Sequence, residues 1–199
     1  MKTGILGGTF NPIHTGHLIL ADQAYHEYGL DRVLVIPSGL SYRKKDIKMP
    51  SKEERFEMVS AAVSDVPYFI PSDIDIRREG YSYTADSIRD LRKESPEDEL
   101  YYIVGADTLR DLPTWREPEV IFKECVILAA VRNDDGEEEL KSIILQYEKD
   151  FGARIFILHA PGIDISSTMV REYLKEGKSV RYLLPEALRL YLEKNKIYE

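Results

Sequence analysis

Residues 4–17, GILGGTFNPIHTGH, place four glycines, one proline and two of the chain's four histidines in fourteen positions. Gly7 and Gly8 follow a short apolar run, and the segment leads straight into helical periodicity. Glycines at such a strand-to-helix turn let backbone N–H groups approach an anion closely, and the helix N-terminus adds partial positive charge. His14 and His17, flanking the helix start, add imidazole donors for phosphate oxygens, the more strongly if protonated beside a polyanion. A metal site is the poorer use of the pair, because no carboxylate or cysteine stands near them. The stretch has no G-K-[ST] and no clean GxGxxG, so Walker and dehydrogenase phosphate loops lose support. Far along the chain, ISSTMVREYL (165–174) sets Ser167 and Arg171 on one helix face. A serine in the first turn with an arginine one turn later makes an oxyanion clamp, to which that turn's own N–H groups contribute. A capping serine with a surface arginine is the plainer alternative. Asp107, at the end of VGAD, can accept hydrogen bonds from ribose hydroxyls or cap the helix that follows.

These groups need elements to position them. KTGILG (2–7), RVLVIP (32–37), LYYIVG (100–105), CVILAAV (125–131) and RIFILHA (154–160) read as buried strands, and YFIPSDIDI (68–76) as extended. Residues 17–28 carry Leu18, Ala21, Ala24 and Tyr25 at helical spacing, and Gly29 sits where a helix C-terminus wants it. Ser51 with Glu54 forms a capping box for the next helix, Thr84 is placed to cap 84–94, and two helices close the chain near 167–176 and 185–195. Residues 38–50 read as a polar, lysine-rich loop, and DDGEEE (134–139) as a turn and helix start favoured by the helix dipole. Strands alternating with helices predict an α/β fold: a Rossmann-like, doubly wound parallel sheet with helices on both faces. Ligands of such sheets bind beyond the C-terminal ends of the strands, where the glycines, Asp107 and the Ser167 helix all fall. The length suits a single domain over 1–199, with the C-terminal helical part (about 165–199) packing on it.

A formal charge of −8 argues against a general nucleic-acid binder. The lone Cys125 excludes an internal disulfide and, lying in an apolar run, reads as a buried core thiol. No apolar stretch reaches membrane-spanning length and residues 1–10 show no signal-peptide core, so a cytoplasmic protein without membrane partners is expected.

GGTFNPIHTGH (7–17) resembles the signature of the HxGH nucleotidyltransferases, and specifically of the bacterial nicotinate mononucleotide adenylyltransferases. EGYSYTADSI (79–88), YYIVGADTLRDLPTWRE (101–117), ISSTMVREYL and the ending YLLPEALRLYLEKNKIY (182–198) are similar to further segments of that family, so the resemblance covers nearly the whole chain. It implies a nucleotidylyl transferase fold. It also implies transfer of AMP from ATP to nicotinate mononucleotide, giving nicotinate adenine dinucleotide (deamido-NAD) and pyrophosphate in NAD biosynthesis. Catalytic roles are implied for His14, His17, Lys44 and Arg171. ATP would be held by Gly7, Gly8, Thr9, Phe10, His14, His17, Gly105, Asp107, Ser166, Ser167 and Arg171. The nicotinate nucleotide would be held by Thr9, Asn11, Arg43, Lys44, Ser82, Tyr83 and Thr84, with Trp115 stacking on the pyridine ring. Many family members carry P-P-H-K after the second strand; here SYRK (41–44) puts Arg43 in the histidine's place and keeps Lys44. Mg²⁺ would come bound mainly through ATP, with no metal residue on the protein. A nicotinamide mononucleotide or other phosphorylated acceptor is the nearer alternative, a non-catalytic nucleotide sensor the more distant one, and the oligomeric state stays open.

Overall fold

The structure is a computed structural model that describes residues 1–41, 49–132 and 137–198. Its strands are β1 (Lys2–Gly8), β2 (Arg32–Pro37), β3 (Leu40–Ser41), β4 (Phe69–Pro71), β5 (Tyr81–Ser82), β6 (Glu99–Gly105), β7 (Cys125–Arg132) and β8 (Arg154–Ala160). Its helices are α1 (Thr15–Tyr28), α2 (Lys52–Ala62), α3 (Thr84–Glu94), α4 (Ala106–Asp111), α5 (Pro118–Glu124), α6 (Glu137–Phe151), α7 (Ser167–Lys175) and α8 (Glu186–Asn195), with a 3-10 turn at Leu112–Thr114. A parallel six-stranded sheet in the order β4-β2-β1-β6-β7-β8, with helices on both sides, is the architecture that the alternation of elements predicts. No helix among the described residues is long and apolar enough to cross a membrane.

Two compact units make up the chain, and β1 and β2 begin in one and end in the other. The first comprises Met1–Leu6, Leu20–Val33 and Tyr83–Ile163. Its strands β1, β6, β7 and β8 pair in parallel, with Gly4 opposite Tyr101 and Leu128 opposite Phe156. β6 and β7 are buried along almost their whole length, the pattern of strands covered on both faces. Gly4 has no room for a side chain: a Cβ there would stand 2.8 Å from Leu30 Cδ1 and 3.0 Å from Val33 Cγ2. α1 ends as Gly29 predicts. Gly29 takes the left-handed conformation and the Leu30 N–H reaches back to the Tyr25 carbonyl at 3.0 Å, a Schellman ending. At the N-terminal ends of the strands, Asp98 accepts hydrogen bonds from Thr3 (2.7 Å) and Arg32 (3.0 Å). The first turn of α6 contains Glu137, Glu138 and Glu139, consistent with the dipole reading of the acidic run.

The second unit comprises Gly7–Ile19, Leu34–Ser82 and Asp164–Glu199. α2 opens with the expected capping box, Ser51 Oγ accepting from the Glu54 N–H and Glu54 accepting from the Ser51 N–H. α2 and α8 pack on each other.

Three local expectations are corrected. The extended reading of 68–76 holds only for Phe69–Pro71. The Ser72 N–H makes one more bond, to the Val35 carbonyl, and the chain then turns, with the Arg77 N–H bonded to the Asp73 carbonyl at 2.9 Å. Alternating Asp and Ile imitated a strand because Ile74 and Asp75 are both buried in that turn. Thr84 does not cap α3: Tyr83 holds the N-cap position with extended backbone and no side-chain cap bond, which puts Thr84 inside the first turn. The segment after β2 also contains a strand, since Leu40 and Ser41 pair in parallel with Tyr81 and Ser82.

Cys125 is fully buried in β7, and burial pushes its thiol pKa up to about 12. A thiol reagent at about pH 8, where an ordinary cysteine reacts readily, is expected to leave native protein unlabelled and to label one thiol after unfolding in guanidinium. Prompt labelling of native protein would remove Cys125 from the core.

Candidate active site

The loop after β1 belongs to the second unit, and its shape follows from a few contacts. Phe10 has φ 47°, a left-handed conformation that costs a non-glycine residue of order 1–3 kcal/mol. Its ring lies over Gly8, where a Cβ would stand 2.7 Å from Phe10 Cε1, so no larger residue fits beneath it. The ring also meets His17 edge-on at 5.2 Å between centroids. The Asn11–Pro12 peptide bond is cis.

Three side chains from distant parts of the chain donate to this loop's carbonyl oxygens. Arg55 Nη1 donates to the Thr9 carbonyl at 2.7 Å, Arg171 Nη1 to the Asn11 carbonyl at 2.7 Å, and Ser167 Oγ to the Pro12 carbonyl at 2.7 Å. A fourth, the Tyr198 hydroxyl, donates to Asn11 Oδ1 at 2.6 Å. The Gly8 carbonyl accepts from the Ser38 N–H, and the Thr15 N–H donates to the Leu183 carbonyl at the helix entrance.

His14 and His17 are held together rather than displayed side by side. The His14 N–H donates to His17 Nδ1 at 3.2 Å, and the two rings stack at 3.6 Å between centroids, tilted by 31°. An Nδ1 that accepts leaves the His17 proton on Nε2, so the ring keeps a donor on that side while neutral.

Ser167 and Arg171 share one face of α7, as their spacing predicts, but both are engaged with the loop. Ser166 is the N-cap of α7 and accepts from the Met169 N–H at 3.1 Å, while Arg171 Nη2 donates to Thr168 Oγ1 at 3.1 Å. Ser82 Oγ accepts from the Gly39 N–H at 3.1 Å, and a Cβ on Gly39 would stand 2.4 Å from that oxygen. Gly7, Gly8, Thr9, Phe10, Asn11, His14, His17, Ser166, Ser167 and Arg171 thus stand together on one loop and the N-terminus of α7. Arg43 and Lys44 lie outside the described residues, as does most of the lysine-rich segment.

The remaining sequence-derived residues belong to the first unit. Gly105 is the N-cap of α4, with open space where a Cβ would go. Asp107 sits in the first turn, fully exposed, and pairs with Arg110 at 2.8 Å; it makes no cap bond. Trp115 ends the 3-10 turn, half-buried, edge-on to Tyr102 at 6.4 Å. Beside it, the Arg116 guanidinium lies 4.5 Å over the Tyr83 ring, and Glu117 pairs with Arg89. Among the described residues, no group of three or more His, Cys, Asp or Glu side chains is arranged to hold a metal ion.

Arg55 and Tyr198 are the residues that sequence reasoning missed. A signal for Arg55 was available: in KEERFEMVSAA it falls at i relative to Met58, Val59 and Ala62, the buried face of α2. A charge on a core stripe asks for a partner. Arg55 is 2% exposed, and its second fork arm donates to the Gly39 carbonyl at 2.8 Å. Burial lowers its pKa, with Tyr198 and Glu53 acting in the opposite sense. Nothing in the sequence marks Tyr198 as more than a terminal aromatic.

A loop of glycines and imidazoles at the end of a parallel strand defines a nucleotide-handling α/β protein, and residues 5–173 match the family model described as cytidylyltransferase-like. A probable nicotinate-nucleotide adenylyltransferase of Lachnoclostridium phytofermentans is 42% identical over 197 residues, covering 99% of this chain and 98% of that protein. One of Dehalococcoides mccartyi, with the same description, is 44% identical, covering 100% of this chain and 97% of that protein. The chain belongs to this family, among the nicotinate-nucleotide adenylyltransferases. The fold is shared with a structure of Plasmodium falciparum nicotinic acid mononucleotide adenylyltransferase complexed with NaAD, with a TM-score of 0.78 at 19% identity, covering 100% of this chain and 98% of that one.

Replacing Arg55 by Met leaves the Thr9 and Gly39 carbonyls without donors. Each unsatisfied buried acceptor costs about 1–3 kcal/mol, so a loss of about 2–6 kcal/mol in urea unfolding is expected. Arg55→Lys, which keeps the charge but not the two-armed fork, should fall between. A Met variant within about 0.5 kcal/mol of the parent would show that the fork carries no load.

Proposed function

We propose that this protein transfers the AMP part of ATP to nicotinate mononucleotide, releasing pyrophosphate and giving nicotinate adenine dinucleotide for NAD biosynthesis. The observation that carries this reading is the 7–17 loop, whose carbonyls are turned to Arg55, Arg171 and Ser167 while its imidazoles are stacked and oriented. Identity of about 42% along nearly the full length to proteins described by this activity supports it.

The attacking group is the mononucleotide's 5′-phosphate, ionised at neutral pH, so no side-chain base is needed to create the nucleophile. The reaction asks for in-line alignment at the α-phosphorus and for donors aimed at charge that develops there. His17 Nε2–H and His14 are such donors. Arg171 keeps N–H groups beyond the two that bind Asn11 and Thr168, and Lys44 adds a cation. The α7 N-terminus and the N–H groups of Gly7 to Phe10 add partial positive charge. On the acceptor side, Trp115 stacks on the pyridine ring. Backbone N–H groups near Ser82, Tyr83 and Thr84 meet its carboxylate, and Asn11 and Arg43 meet the rest of the mononucleotide. Gly105 and Asp107 serve the adenosine. Mg²⁺ carried on the triphosphate would supply charge neutralisation for the leaving pyrophosphate. The whole chain works as one nucleotidyltransferase domain in the cytoplasm.

The experiment is a parallel assay of ATP and Mg²⁺ with nicotinate mononucleotide or its amide, following dinucleotide and pyrophosphate. Preference for the acid is expected; no product from either would overturn the proposal. His17→Ala should keep the melting temperature within a few degrees and lower kcat about 10²–10³-fold, the usual cost of one well-aimed donor. A variant with nearly normal kcat would remove His17 from the chemistry.

A further inference from the structure

Glu117 stands between Trp115 and α5 with φ 51° and ψ 55°, in the left-handed region. Its own side chain disfavours that conformation, and Pro118, the first residue of α5, disfavours it again by pushing the residue before it toward extended backbone. Such a turn persists only where its surroundings over-determine it. Here the hold comes from α3. The Arg89 guanidinium takes both oxygens of the Glu117 carboxylate, Nη2 donating to Oε1 and Nη1 to Oε2 at 3.2 Å. Asp86, one turn earlier on α3, accepts from the same Nη1 at 3.1 Å. Arg116 completes the cluster, with Nε 3.6 Å from Glu117 Oε2 and its guanidinium over the Tyr83 ring. A planar fork on a carboxylate fixes direction as well as distance, which a point charge does not.

The fork's side chains are 39% and 36% exposed, so it adds little to stability. Its place explains it better than its energy does. One partner is on α3, whose N-cap is Tyr83, and the other comes two residues after Trp115. All of these residues belong to the first unit. We infer that Arg89 and Glu117 are positioning residues: their fork holds the left-handed turn at Glu117, and the turn sets Trp115 where it stacks on the acceptor's pyridine ring. This rests on the reaction proposed above. With the fork released, the preference of a residue before proline draws Glu117 toward extended backbone. The chain then enters α5 in another direction and carries the indole away from Tyr102, its edge-on neighbour at 6.4 Å.

Trp115 is the only tryptophan in the chain, so its fluorescence reports its surroundings without any ligand. In the full chain, Arg89→Met and Glu117→Gln should each move that emission to longer wavelength and raise its quenching by acrylamide, with the melting temperature within a few degrees. Each should raise KM for nicotinate mononucleotide about 2- to 10-fold, the worth of one aromatic contact. KM for ATP should stay within about twofold and kcat should change little, since ground state and transition state lose the same contact. The double variant should do no more than either single one, because either alone releases the fork. Glu117→Gln, nearly isosteric, carries the test if Arg89→Met fails to fold. Lys93→Met breaks an exposed pair with Asp90 on the same helix and should leave emission and KM as in the parent. Parent-like emission in the single variants overturns the inference. So do additive effects, a shift of equal size in Lys93→Met, or shifted emission with an unchanged mononucleotide KM. A parent protein that makes no dinucleotide fails the proposed function by itself. The emission cycle on unliganded protein then decides the fork: coupling of Arg89 and Glu117 supports the positioning role, and independent effects overturn it.

Discussion

The carbonyl oxygens of Thr9, Asn11 and Pro12 are each taken by a side-chain donor, and the site depends on that arrangement. Arg55, Arg171 and Ser167 come from α2 and α7, far from the loop in sequence. Two of the donors are guanidinium groups, whose hydrogen bonds are stronger than neutral ones. A loop held by its carbonyls has little freedom to turn its peptide planes, and an anion site needs peptide N–H groups facing outward. The same grip explains how Phe10 persists in a left-handed conformation: its neighbours on both sides are held, and its ring is fitted over Gly8. A strained residue that its surroundings over-determine is typical of a binding loop prepared before its ligand arrives.

Preorganisation continues into the histidines. The bond from the His14 N–H to His17 Nδ1 orients one ring by the backbone of the other. Adenylyl transfer to a phosphate suits this economy. The nucleophile is already an anion, so catalysis rests on aiming fixed donors at the charge of the transition state. Ser167 and Arg171 act on the loop in this structure, which makes α7 a brace for the histidines as well as a source of positive charge.

The first unit supplies a different kind of order. Its strands β6 and β7 are buried on both faces, and the segment around Trp115 makes aromatic and ion-pair contacts: Trp115 on Tyr102, Arg116 over Tyr83, Glu117 with Arg89. Exposed ion pairs of this kind contribute little stability. Their effect is to bias where Tyr83 and Trp115 stand.

Strand and helix order was legible in the sequence because apolar runs and helical periodicity are local properties. So were the glycine turn after β1, the Ser51 capping box and the acidic start of α6. The 7–17 signature and the Ser167–Arg171 spacing were legible too, since both depend on residue types at short range. Errors arose where local pattern and tertiary setting diverge: alternating Asp and Ile at 73–76 are buried in a turn, and Tyr83 rather than Thr84 precedes α3. Tertiary structure alone decided what the donors do. Spacing showed that Ser167 and Arg171 share a face, but not that the face meets the loop's carbonyls. It could not place Arg55 under Thr9 or bring Tyr198 to Asn11, 187 positions away. A hydrogen bond is satisfied by whatever acceptor the fold delivers, and only packing determines which acceptor that is.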